Sequence, residues 1–159
     1  MSPSSSVSIR PAIPTDIPFI TEMYALVEGT GAPPWRTDGS TPNPYSTDWI
    51  STYFDRSPDN QQIFVAADER DAPLGYVWVL TLTDFDSHLP HGHIAGVAVA
   101  PHAGGRGIGR TLVEAAEVWC RAQGVGEVTL HCYLGNEKAH ALYLHLGFED
   151  EWYQMRKAL

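Results

Sequence analysis

The sequence predicts an α/β domain organised around one mixed sheet. Segments that alternate apolar and polar residues are interleaved with segments whose apolar residues recur every three or four positions. Their order is strand, one or two helices, three strands, helix, strand, helix, strand, which is neither all-α nor all-β. No repeat, low-complexity tract or compositional break divides the 159 residues, so one domain over 1–159 is expected, with 1–6 as a disordered tail.

VSIRPA (7–12) alternates and reads as the first strand. Thr15 or Asp16 can cap the helix behind it, and Pro18 is tolerated in its first turn. Ile17, Ile20, Met23, Tyr24 and Val27 then recur at helical spacing up to Gly29. Residues 29–47 form a long Gly- and Pro-rich loop carrying Trp35 and Tyr45. WISTYFDRS (49–57), capped by Asp48, reads as a short helix. QQIFVAAD (61–68) and LGYVWVLTLT (74–83) read as a hairpin, and HIAGVAVA (93–100) as a third strand after a turn-rich connection over 83–92. Ile108, Leu112, Ala115, Ala116 and Trp119 form one helical stripe, with Glu117 and Arg121 paired on the opposite face and Gly124 as the stop. EVTLHCYL (127–134) is a strand. NEKAHALYLHLGF (136–148) is a helix with Ala139, Leu142, Tyr143 and Leu146 on its apolar side, and WYQMRKA (152–158) is a last strand.

Ten basic residues stand against nineteen acidic ones, a net charge of −9. That argues against a nucleic-acid partner and favours a cationic small substrate. No apolar run approaches the roughly 18 residues of a membrane span, and MSPSSSVSIR lacks an apolar signal core, so a cytoplasmic protein is expected. The two cysteines, Cys120 and Cys132, make neither a disulfide framework nor a zinc spacing and read as free thiols. HGH (91–93) has no third histidine at a linked spacing, so no metal is expected.

The chemistry concentrates at AVAPHAGGRGIGRTL (98–112), where Gly104, Gly105, Gly107 and Gly109 lie between a strand and a helix. Such glycines let backbone amides crowd against a ligand, and the helix start behind them favours an anion. GGRGIGRT nearly matches the nucleotide-binding pattern GxxxxGK[ST], but Arg110 stands in the lysine position. Only about 50 residues follow, too few for the acidic strand end and parallel strands of that fold.

A second reading uses more of the chain. VAVAPHAGGRGIGRTLVEAAE is similar to the coenzyme A loop of the GNAT superfamily of N-acetyltransferases, in which a V-x-V-x-P strand end precedes [QR]-x-x-G-x-[GA] and a helix. The later N-x-x-A-x-x-L-Y-x-x-x-G-F pattern of that family falls on Asn136, Ala139, Leu142, Tyr143, Gly147 and Phe148. SIRPAIPTDIPFI resembles its first strand and helix. One position departs: Gly104 stands where Gln or Arg is usual.

The resemblance implies a single domain with a central mixed, mostly antiparallel twisted sheet of about six to seven strands flanked by about four helices. It also implies acetyl-CoA as cosubstrate, bound by Val97, Ala98 and Val99 along its pantetheine arm and by Gly104, Gly105, Arg106, Gly107, Ile108, Gly109 and Arg110 at its pyrophosphate. Asn136 and Tyr143 would contact it further along. Tyr143 resembles the family's general acid for the departing thiolate. His93 falls where many members carry a glutamate base, and a histidine's ordinary pKa suits a base at neutral pH. By strand alternation His93, Ala95, Val97 and Val99 share one face, joined by His91 if the strand extends that far. A primary amine would attack the thioester directly, with no covalent enzyme intermediate. The acceptor site is expected among Trp35, Tyr45, Tyr76, Trp78, Asp84, Phe85 and Asp86. A homodimer is a further expectation of the resemblance. A coenzyme-binding regulator without turnover is the alternative function.

Overall fold

The computed structural model describes residues 6–27, 29–36, 48–56 and 58–159. Tyr45 and the Asp48 side chain, both singled out in the sequence, lie outside the described positions. The described chain divides into two units: one from the residues of 1–28 and 38–131, the other from those of 29–37 and 132–159.

The first unit is built on a five-stranded sheet in the order β1-β2-β3-β4-β5. β1 (Ser8–Pro11), β2 (Gln61–Ala67), β3 (Pro73–Thr83) and β4 (Pro90–Val99) pair antiparallel in sequence order, and β5 (Val128–Leu130) joins β4 in parallel. The parallel pair follows from its connection: a helix, α3 (Ile108–Ala122), returns the chain to the same end of the sheet.

The register defines two faces. Tyr76 pairs with Ala98, Trp78 with Gly96 and Leu80 with His93, so these six residues share one face. Val77 pairs with Val97 and Val79 with Ile94 on the other. α1 (Ile17–Val27) and α2 (Asp48–Arg56) cover the Tyr76 face. Trp49 of α2 stacks on Trp78 with centroids 3.9 Å apart, and Tyr24 of α1 meets Trp49 edge-on at 5.4 Å. α3 covers the opposite face through buried Ile108, Leu112, Val113, Ala116 and Cys120. The expected stripe is thus rotated: Ala115 and Trp119 are only half-buried, and Val113 and Cys120 take the inner positions.

An ion pair between half-buried Arg10 and buried Asp16 ties β1 to the start of α1. Arg10 lies 2.7 Å from Asp16 and 2.7 Å from exposed Asp71. Burial alone would raise the Asp16 carboxyl, but Arg10 and the Ile13 amide outweigh it and hold its pKa below the ordinary value.

The second unit contains α4 (Glu137–His145). Here the backbone at Gly31 runs hard against that of Gly135 and Asn136, so close that a Cβ on either glycine would collide with main-chain atoms. Arg156 lies over the Trp35 ring, 5.1 Å from its centroid, and His140 Nε2 is 2.7 Å from the Asp150 carboxylate.

Two expectations are corrected. The sheet of the described residues has five strands, not six to seven, and 152–158 is not one of them. Trp152, Tyr153 and Met155 are 59, 71 and 92% exposed, and no strand among the described residues pairs with this segment. β5 is three residues long where eight were expected, while β4 starts three residues earlier than expected.

Candidate active site

β4 carries an irregularity that the sequence does not show. Its pairing with β3 shifts between Trp78 and Val79, which face Gly96 and Ile94, so Ala95 is an extra, bulged residue. The bulge reverses the alternation. His93 therefore shares its face with Gly96 and Ala98, and not, as simple periodicity predicted, with Val97 and Val99. His91 does lie on the His93 face, because β4 extends back to Pro90.

The bulge falls where the parallel pairing ends. β5 matches β4 at Gly92–Val128, His93–Thr129 and Ile94–Leu130. Beyond Ile94, β4 keeps β3 on one side as far as Val99, and no described strand pairs on the other. The backbone of 95–99 is consequently a strand edge able to pair with an extended, amide-bearing ligand.

The chain then turns through a 3-10 segment, Pro101–Ala103, into the glycine loop. Gly105 and Gly107 adopt φ of 76° and 75°, which only glycine takes without strain, and Gly107 is the N-cap of α3. It offers no side chain to the helix start. The first turn of α3 contains no acidic residue, and its leading amides lack intrahelical acceptors. Turns of alternating hand followed by a bare helix N-terminus form a concave set of N–H donors suited to phosphate. Gly104, with φ of −61° and ψ of 156°, needs no glycine at all. Arg106 and Arg110 are exposed, and the Arg110 guanidinium is engaged by Glu114 at 2.8 Å.

His93 sits beside this edge, half-buried. Its Nδ1 is 2.9 Å from Thr129 Oγ1, and its ring centroid is 5.0 Å from that of His131. Burial first, then the neighbouring His131 and His91, push its pKa down to about 4. This revises the expected titration in the neutral range: the imidazole is neutral at pH 7. Among the described residues, the hydroxyl of buried Tyr76, on the same face, has no hydrogen-bond partner, and neither has the Nδ1 of buried His91. Trp78 lines a cavity of 360 Å³ with Trp49, Tyr53, Arg56 and Gln61. Of the other residues expected around an acceptor, Tyr76 belongs to the core and Phe85 is 89% exposed at the β3–β4 turn. Asp84 there accepts hydrogen bonds from Ser87 N at 2.7 Å and Asp86 N.

In the second unit Asn136 is the N-cap of α4, its Oδ1 accepting from the Ala139 amide at 3.3 Å. Tyr143 of α4 is half-buried with its ring edge-on to Phe148 at 5.7 Å. Burial, then proximity to Cys132, pushes its phenol up to about 12, so it carries its proton at neutral pH. Burial also raises the Cys132 and Cys120 thiols, so neither is a thiolate nucleophile. Among the described residues no group of three His, Cys, Asp or Glu is placed to hold a metal ion, and no helix is long and apolar enough to cross a membrane.

Sequence reasoning missed Thr129 and the bulge. Both depend on cross-strand register, which no local pattern encodes.

An edge for amide groups that runs into a nest of N–H donors is a geometry suited to a ligand with a peptide-like arm and a phosphate. The model of the acetyltransferase (GNAT) family matches residues 25–148. Over 86 residues, 54% of the chain and 28% of the relative, it is 36% identical to the mycothiol acetyltransferase of Rhodococcus jostii. Over 90 residues, 57% of the chain and 27% of the relative, it is 30% identical to that of Renibacterium salmoninarum. The chain thus spans little more than a quarter of those relatives. Among solved structures, the aminoglycoside N-acetyltransferase AAC(6')-Iy in complex with CoA superposes with a TM-score of 0.76 at 16% identity, covering 100% of this chain and 98% of that one. The chain belongs to the acetyltransferase (GNAT) family.

Proposed function

We propose that this protein transfers the acetyl group of acetyl-CoA to a primary amine by direct attack on the thioester. The observation that carries the reading is the strand edge at 95–99 opening beside the bulge and leading directly into the glycine loop. Coenzyme A presents amides along its pantetheine arm and a pyrophosphate at the end, in the order the chain offers its partners. Val97, Ala98 and Val99 supply the edge. Gly104, Gly105, Arg106, Gly107, Ile108, Gly109 and Arg110 supply the amides and rim charge.

His93 is the proposed proton acceptor. With a pKa of about 4 it does not strip an ammonium ion, whose pKa is near 10.4. It accepts the proton that the attacking nitrogen sheds as its bond to the carbonyl carbon forms, when that nitrogen becomes strongly acidic. Tyr143, protonated at neutral pH, fits the role of proton donor to the leaving thiolate. The Trp49–Trp78 cavity, on the same sheet face as His93, offers an apolar wall to the body of the acceptor. The relatives and neighbours put mycothiol-type and aminoglycoside amines first in the acceptor panel.

Calorimetric titration with acetyl-CoA and, separately, Mg-ATP tests the coenzyme. Saturable acetyl-CoA binding without ATP binding is expected, and an amine screen read by thiol release follows. Binding of acetyl-CoA with no transfer to any amine would leave a coenzyme-binding regulator. Binding of ATP alone would overturn the reading.

A further inference from the structure

We propose that Thr129 is a positioning residue: it fixes His93 in the Nδ1–H tautomer and so leaves Nε2 as the only basic atom of the ring. The inference rests on the reading of His93 as proton acceptor. The two residues face each other across the parallel β4–β5 pair, in register. His93 Nδ1 lies 2.9 Å from Thr129 Oγ1, and the Gly92 carbonyl oxygen lies 3.4 Å from the same hydroxyl, in a position to accept its hydrogen. A hydroxyl has one hydrogen. With that hydrogen directed to Gly92, Oγ1 meets His93 as an acceptor, and Nδ1 must bring the proton. A neutral imidazole with its hydrogen on Nδ1 has its lone pair on Nε2.

The arrangement matters because His93 is neutral at working pH, so its two tautomers, and not its charge, decide whether it can accept a proton. In the opposite tautomer the lone pair would be spent on Thr129, and Nε2–H would face the reaction as a donor. During transfer the proton leaves the attacking nitrogen and joins Nε2. The imidazolium that forms keeps both N–H groups, one still bonded to Thr129, and returns the Nε2 proton to solvent after the product departs. His91 and His131 are the titratable side chains whose fields act on His93, and both disfavour its cation. Thr129 thereby supplies a neutral acceptor, which orients the ring without making it a permanent cation. A carboxylate in its place would raise the His93 pKa and abolish that property.

The test is the nitrogen-15 spectrum of the histidine rings in the intact protein at neutral pH, with His93 assigned by comparison with His93→Gln. The expected result is a protonated-type Nδ1 and an unprotonated-type Nε2. Thr129→Val keeps the β-branched shape without the hydroxyl. It should mix or invert the tautomers and lower kcat for the best amine by about tenfold or more, with the KM for acetyl-CoA unchanged. Thr129→Ser should restore both the tautomer and kcat. A wild-type ring protonated on Nε2, or a Thr129→Val ring indistinguishable from wild type, would overturn the proposal. Should Thr129→Val fail to fold, the wild-type and Thr129→Ser spectra still decide it. Should the wild type transfer no acetyl group to any amine, the proposed function fails while the spectra still report whether Thr129 sets the tautomer.

Discussion

His93 shows how far a single residue's chemistry depends on its surroundings. A histidine at its ordinary pKa of 6.5 would lose half its basic form just below neutrality; held at about 4 it does not. The pH dependence of kcat/KM, followed by thiol release from about pH 5 to about pH 9, should therefore rise only with the free-amine fraction of the acceptor. An inflection near 6.5 that disappears in His93→Gln would contradict this. The glycine loop separates residues that need glycine from one that does not. Gly104 has ordinary backbone angles, and a Cβ there would meet only Pro101 O at 3.5 Å, so Gly104→Gln should leave the urea midpoint unchanged. A Cβ on Gly107 would meet nothing, yet its φ is 75°, so Gly107→Ala should cost about 1 kcal/mol from backbone strain alone. It should also weaken acetyl-CoA binding in the same calorimetric titration. The positive φ at Gly105 and Gly107 was legible in the sequence because tolerance of it belongs to the residue itself.

Properties of pairs of elements were less legible. The periodicity placed α3, β3 and β4 within a few residues of where they lie, but not the seam between α3 and β4. There Gly92 admits Cys120: a Cβ at 92 would collide with the Cys120 thiol. Gly92→Ala should destabilise the protein by about 2 kcal/mol through overpacking. Adding Cys120→Ala should recover much of that loss, giving a large coupling energy in a double-mutant cycle of urea unfolding. Additive effects would mean that the seam does not pack this way. The hidden bulge at Ala95 is a defect of the same kind. Nothing in the small, apolar run HIAGVAVA marks a surplus residue, and only the pairing with β3 shows that there is one. Tyr76 pairs with Ala98 of the bulged strand, and among the described residues its buried hydroxyl has no hydrogen-bond partner. Tyr76→Phe removes an unsatisfied polar group and should raise stability by about 1 kcal/mol.

At the scale of the whole chain, the sequence carried the α/β class and the element order, because both rest on periodicity summed over many residues. It overcounted strands, since WYQMRKA has the pattern of a strand but joins no sheet among the described residues. What emerges only from the assembled fold is a distinctive response to acid. In the unfolded chain His93 takes up its proton at about 6.5, and in the folded one at about 4. Between those values the unfolded state binds more protons, so stability is complete above 6.5 and falls as pH drops toward 4. Asp16 is held below 3.8 by Arg10 and the Ile13 amide against its own burial, and Asp68 and Asp84 are lowered by hydrogen-bond donors in their turns. Their contribution is present above the ordinary carboxylate value and is lost only on going lower. Urea unfolding across pH should therefore weaken in two stages, the first set by a histidine and the second by carboxylates. His93→Gln should flatten the first stage and leave the second, whereas Asp16→Asn should cost about 1–2 kcal/mol at neutral pH by taking the carboxylate from the Ile13 amide and from Arg10, which keeps Asp71, and should weaken the second. A wild-type protein equally stable at pH 7 and pH 4.5, or a first stage that survives His93→Gln, would show that the folded state does not hold this imidazole neutral, and with it would fall the account of how His93 accepts a proton.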